Sequence, residues 1–324
     1  MHLVLVESIR PGACTAARPI HGTMGQLIAE PGTCLTKELL LELKRYGIDK
    51  VAVEDEETRD VTFEELMDSH AWIKLVHAVR SVYLEACNGR YASAELEEAA
   101  SMVACYVSAR GTVVPLPSSS IPLSMQLYAH VVNVALWAAQ AADKLGWQES
   151  DRHELIAGCL LHDVGKLLTD PSDSEHPLVG YLFAKPHFPE GSFVPHIILQ
   201  HQNVAGDRHR RGTTDKPYAH AAKLCYLCNL FDHLSDVSET MYYGALEVLL
   251  ALPDRSFAAR ETQALADSIP KMLPGSTVRT PSGRTALVVG LTERPSFPLL
   301  RLSGSDQLIA LDDQQLASLE FIRL

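Results

Sequence analysis

The stretch GCLLHDVGKLL, Gly158 to Leu168, decides how the chain is read. An apolar run ends in His162-Asp163, followed by a glycine and a lysine. Adjacent histidine and aspartate offer one metal an imidazole nitrogen and a carboxylate oxygen. Gly165 lets backbone pass close beside such a site. Lys166 puts a mobile positive charge where a phosphate oxygen could sit. Most isolated His-Asp pairs are surface polar residues, so the pair needs partners from elsewhere in the chain.

Outward from this stretch, helical patterning brings such partners. A long helix is expected from about Ser124 to Leu145, with Gln126 and His130 four apart on one face and Gly146 as its stop. Asp151 opens the helix that delivers His162 and Asp163. EHPLVGYLF places His176 at a helix start, with Pro177 in the favoured first position. SFVPHIILQHQN supplies His196 and His201. Residues 204–217 read as a loop. Residues 218–235 return to helix, with Asn229 and Asp232 one turn apart, and further helix covers about 238–272. Upstream, from Val61 to about Arg110, two helices broken at Asn88-Gly89 repeat apolar residues every three or four positions. PLPSSSIP, Pro115 to Pro122, is a loop.

The two ends differ from this helical body. Residues 1–60 read as a small α/β module: LVLV is a strand, Thr36 caps a helix that Gly47 stops, and a strand begins at Val51. His21 there reads as a structural histidine. Beyond Pro274-Gly275, apolar and polar residues alternate in short runs, which predicts a small β-barrel-like domain. The expected division is therefore 1–60, 61–272 and 273–324, mainly α overall.

Composition narrows the function. The chain has 324 residues and a net charge of −12, from 28 basic and 40 acidic residues. That argues against an extended nucleic-acid interface, which needs a basic face. It leaves room for a small anionic ligand held locally. Seven cysteines without regular spacing read as reduced thiols of a cytoplasmic protein,. Cys225 and Cys228 read as core, not as half of a zinc site. The start lacks the pattern of a signal peptide, and no apolar run approaches a membrane span.

Histidines on separate helices can converge in a bundle interior. His130, His162-Asp163, His176, His201 and Asn229 with Asp232 form such a set. Two metals bridged by Asp163 would clamp a phosphodiester and generate hydroxide at neutral pH. The other reading of the same spacing is a bundle with buried, hydrogen-bonded histidines.

The pattern H…HDxGK…HPxxGY…H…(D/N)xFD resembles the HD metal-dependent phosphohydrolase superfamily, and within it the bacterial HD-GYP phosphodiesterases for cyclic di-GMP. The resemblance covers most of the chain. It implies an HD-type helical bundle, one or two divalent ions (iron, manganese or zinc), and a cyclic di-nucleotide or other small phosphodiester as substrate. By this resemblance His130, His162 and Asp163 are ligands of a first metal, with Asn229 where the family has aspartate. Asp163, His176 and His201 would serve a second. Asp163 and Lys166 would be catalytic, with Lys166 on the phosphate side. The family's HHExxDGxGYPRG runs from Gln200 to Gly212 here. One of its two histidines is glutamine, His201 can take either place, and the GYP signature becomes Arg208-His209-Arg210. Arg208, Arg210 and Arg211 could hold phosphates; His187, His196 and His209 could replace a lost ligand. The third-metal glutamate is Gln126. Tyr181 or Tyr226 could stack on guanine, although core packing is the plainer expectation. The degenerate signature leaves two functions in view: a weakened or retuned hydrolase, or an inactive receptor or protein-interaction module in cyclic di-nucleotide signalling.

Overall fold

In the helix Gln126–Lys144 (α4) every residue from Tyr128 to Ala142 is buried. A helix apolar all round has to lie inside the molecule, and α4 is its axis. The polar residues on it are each given partners, as burial demands. Asn133 accepts from Trp72 Nε1 at 3.0 Å and donates to Leu116 O at 2.9 Å. Gln140 accepts from Val113 N at 2.8 Å and donates to Val113 O at 2.9 Å. His130 points to the site described below.

The computed structural model describes residues 1–170, 174–202, 217–237, 242–251, 255–280, 282–305, 307–311 and 319–323. Around α4 pack α2 (Ser69–Cys87), α3 (Ser93–Arg110), α5 (Glu149–Leu161), α8 (Pro217–Val237) and α10 (Arg255–Ser268), and α7 (Phe193–Gln200) packs against α5 and α8. The short α6 (His176–Ala184) lies against α7, and α9 (Tyr242–Ala251) against α8. α5 starts at Glu149 rather than Asp151, a shift of the size usual at helix ends. Cys159, Cys225 and Cys228 are buried in this core. Among the described residues no helix is long and apolar enough to cross a membrane.

The N-terminal segment folds as read. Strands β1 (His2–Leu5) and β2 (Thr15–Ala16) flank β5 (Lys50–Glu54) in an antiparallel sheet, and β3 (Ile20–His21) pairs with β4 (Leu27–Ala29). Helix α1 (Lys37–Tyr46) is capped by Thr36, whose hydroxyl accepts from Leu39 N, and Gly47 ends it in the left-handed conformation at φ 70°, where glycine is unstrained. A small core of Leu35, Leu43, Ile48, Val51 and Val53 fills this unit.

Past the last helix, β6 (Thr277–Arg279), β7 (Thr285–Leu291), β8 (Pro298–Leu302), β9 (Leu308–Ala310) and β10 (Glu320–Arg323) form an antiparallel sheet in the order β10-β6-β7-β8-β9. Barrel-like closure is not seen among the described residues, since β9 and β10 stand at the sheet's two edges.

Candidate metal centre

The site forms where α4, the end of α5, the start of α6, the end of α7 and the middle of α8 meet. Three glycines allow this approach. A Cβ on Gly165 would lie 1.9 Å from His176 O, and one on Gly180 would lie 3.2 Å from Gly165 N. A Cβ on Gly158 would lie 2.4 Å from Ile197 Cδ1. Without side chains there, α6 and α7 settle against the HDVGK turn, and His176 and His201 come within reach of Asp163.

Asp163 sits at the centre, 1% exposed. Its Oδ2 lies 3.5 Å from His162 Nε2 and 4.0 Å from His130 Nε2. Its Oδ1 lies 3.3 Å from both His176 Nε2 and His201 Nε2. Each carboxylate oxygen thus faces its own pair of imidazoles, and the described residues group as His130, His162, Asp163 and as Asp163, His176, His201.

The tautomers decide what such a cluster can hold. His162 Nδ1 donates to Cys159 O at 2.8 Å, and His201 Nδ1 donates to Ile198 O at 2.8 Å. In the neutral rings, both Nε2 atoms are then lone pairs aimed at a carboxylate. Neither His162 Nε2 nor Asp163 Oδ1 has a hydrogen-bond partner. Buried lone pairs facing one another without a proton repel, and a cation between them removes the repulsion. This donor set fits a divalent metal bound through imidazole and carboxylate.

Charge follows the same geometry. Burial raises the cost of ionising Asp163, but neighbouring groups, the Lys166 ammonium among them, outweigh it and hold the carboxyl well below its ordinary range. Burial holds His162 well below the usual histidine value. Burial lowers His130 too, but the hydrogen bond and charge of Asp232 outweigh it and raise the group. Lys166 Nζ lies 2.5 Å from Asp163 Oδ2, with its side chain 26% exposed.

The two halves are not equally furnished. On the first, His130 Nδ1 meets Asp232 Oδ2 at 2.7 Å, the carboxylate backing that orients ligating histidines, and Ser118 Oγ donates to the same oxygen at 3.2 Å. Asn229 lies 2.9 Å from His130 Nε2. The atom presented is the amide Oδ1, so His130 Nε2 donates to it,. On the second, Gln202 Nε2 lies 3.2 Å from His176 Nε2.

His130, His162, Asp163, Lys166, His176, His201 and Asn229 therefore come together. Gln126 does not join them: its Nε2 donates to Gly47 O at 2.8 Å and Ile121 O at 3.2 Å. His187 stacks on Tyr91 and His196 on Tyr218, with ring centroids 4.4 and 4.1 Å apart. Tyr181 and Tyr226 pack against the helical core. Arg208, His209, Arg210 and Arg211 lie outside the described residues. Sequence reasoning missed His233, whose ring stacks on His130 with centroids 4.3 Å apart. Loss of water around the ring where it packs on His130, and the neighbouring His130 itself, push its pKa down to about 4, although the residue as a whole is exposed. Its place next to Asp232 was the signal. Gln202 was missed as a partner of His176, although it directly follows His201.

Residues 127–231 match the model of the HD domain family. Among solved structures, the chain is similar to a HDG"Y"P protein from Bdellovibrio bacteriovorus. That likeness runs at 17% identity and a TM-score of 0.44, over 82% of this chain and 97% of that one. No curated protein sequence matches.

Proposed function

We propose, from the match of residues 127–231 to the HD domain family, that this chain is a metal-dependent phosphodiester hydrolase of the HD-GYP kind. In this reading His130, His162 and Asp163 would hold one divalent ion, Asp163, His176 and His201 would hold a second, and residues 61–272 would form the catalytic body. The observation that carries the reading is that His162 Nε2 and Asp163 Oδ1 are buried without a hydrogen-bond partner among four imidazoles grouped around one carboxylate. Divalent ions in such a site supply Lewis acidity and lower the pKa of bound water.

The chain's own residues do the rest. Cys159 O and Ile198 O fix the tautomers of His162 and His201. Asp232 and Ser118 hold the His130 ring in place. Lys166 pairs with Asp163 and, with its side chain partly exposed, would offer its positive charge to a phosphate oxygen,. Arg208, Arg210 and Arg211 add positive charge for an anionic substrate. A net charge of −12 favours a small phosphodiester, a cyclic di-nucleotide among them, over a nucleic-acid polymer,.

The test is protein loaded with manganese, iron or zinc, assayed by elemental analysis and with cyclic di-GMP and bis(p-nitrophenyl) phosphate. Two ions per chain and turnover are expected. Lys166→Met should keep the ions and lose about 100-fold in kcat, as removal of one charge-stabilising donor does. Protein that retains no metal and turns over neither substrate rejects the proposal.

One observation favours a second reading. Asn229 occupies the His130 nitrogen that a first metal would use. A chain with that half-site closed would act as a receptor or interaction module. Tight cyclic di-GMP binding without turnover, with at most one ion per chain, would support it.

A further inference from the structure

The N-terminal unit contributes no side chain to either half-site among the described residues, yet it grips both helices that build the first one. On α4, Gln126 donates to Gly47 O at 2.8 Å, four residues before His130. Gly47 itself sits so close to α4's entry that a Cβ there would meet Leu123 Cβ at 2.9 Å. On α8, Lys50 reaches across from β5. Its Nζ donates to Asp236 O at 2.5 Å and Ser235 O at 3.2 Å, and lies 3.8 Å from Asp236 Oδ1. These carbonyls lie in the last described turn of α8, where the helix dipole favours a cation,.

A third tie runs through the Pro115–Pro122 loop. Asp49 N donates to Ser119 O at 2.9 Å. Ser119 Oγ donates to Asp236 Oδ1 at 2.5 Å, and its neighbour Ser118 donates to Asp232 Oδ2, the carboxylate that holds His130. The connection from Lys50 to His130 is continuous through hydrogen-bonded groups. Lys50 is only 3% exposed. Burying an ammonium is costly, and burial lowers its pKa,. A buried pair of this kind is poor evidence of stabilisation, since apolar replacements often match it. What it fixes is the position of the end of α8, one turn beyond Asp232.

We propose that Lys50 is a positioning residue for the first half-site: with Gln126, it holds α8 and α4 so that Asp232 keeps His130 turned toward Asp163. The second half-site, on α6 and α7, has no such tie to the N-terminal unit among the described residues. The proposal rests on the two-ion reading above, and its test separates the two.

Full-length protein stripped of metal is titrated with Mn²⁺ or Zn²⁺ by calorimetry. Lys50→Met and Gln126→Ala should each weaken one ion by about 10- to 100-fold, the range for loss of outer-shell support, and leave the other ion unchanged. The Co²⁺ absorption spectrum should lose the bands of one site only. Wild-type protein that binds no ion sinks the two-ion reading and this inference with it. Wild-type protein that binds two ions, with both variants matching it or losing both ions together, overturns the inference alone. If Lys50→Met does not fold, Gln126→Ala decides by the same criterion.

Discussion

His176 and His201 meet nitrogen to nitrogen, Nε2 to Nε2 at 3.3 Å, across 25 residues of chain. Each also lies 3.3 Å from Asp163 Oδ1. His201 Nδ1 donates to Ile198 O, so its Nε2 carries the lone pair that a cation would take. His201→Ala should cost one bound ion about 100-fold or more in affinity, beyond what loss of an outer-shell partner costs. The ion beside His130 and His162 should remain. Calorimetric titration of the metal-free variant reads both at once, and loss of both ions would contradict two separable half-sites.

Gly165 holds its place because α6 passes directly over it. In Gly165→Ala the new methyl group must displace the His176 carbonyl. Overpacking of this kind costs about 1–3 kcal/mol or more. Because His176 rides on the displaced backbone, metal affinity at the second half-site should fall along with stability. Urea unfolding and metal titration of the same variant check the pair. A stable variant with intact metal binding would mean that the close approach does not set the site.

Asn229→Asp places a carboxylate beside His130 Nε2, where the amide now sits. The carboxylate keeps an oxygen at that place and adds the negative charge that the amide oxygen lacks, which strengthens it as a ligand for a cation. Affinity for the first ion should rise by about tenfold or more, and any hydrolysis of cyclic di-GMP should rise with it. Combining it with Gln200→His tests whether the remaining deficit lies in the missing histidine. Unchanged affinity in Asn229→Asp would remove the amide as the cause of a weak first site.

Acid should destabilise the metal-free protein through His162. Burial holds its folded pKa well below the ordinary value, so below about pH 6.5 the unfolded chain takes up a proton that the folded one refuses. Stability is then lost as pH falls, at up to about 1.4 kcal/mol per pH unit for one proton. His130, with its raised pKa, acts in the opposite sense: its contribution is full below its unfolded pKa and fades as pH rises through the folded one. The informative quantity is therefore the difference between wild type and His162→Gln. Urea midpoints at pH 7.5, 6.5 and 5.5 should fall less steeply in the variant, by about one proton. Parallel curves would show that His162 protonates freely in the fold.

Much of this was legible in one dimension. Thr36 and Gly47 mark the ends of α1 because capping and left-handed backbone are local chemistry. α4 is legible because fifteen consecutive residues suit a buried helix, and the HDVGK turn because its residue types suit a metal and an anion. The same local pattern placed His130, His162, Asp163, His176 and His201 on separate elements, and the family likeness proposed that they meet.

Only the tertiary structure decided how they meet. That Asp163 turns one oxygen to each pair of imidazoles depends on α6 and α7 closing over Gly165 and Gly158, a contact between segments far apart in sequence. That Asn229 covers His130, that Gln126 is spent on Gly47, and that Lys50 reaches the Ser235 and Asp236 carbonyls of α8 are likewise contacts across the fold. Sequence determines which groups each turn of helix presents, because capping, periodicity and burial act over a few residues. Distances of three ångströms between distant side chains come from packing, which no single stretch contains.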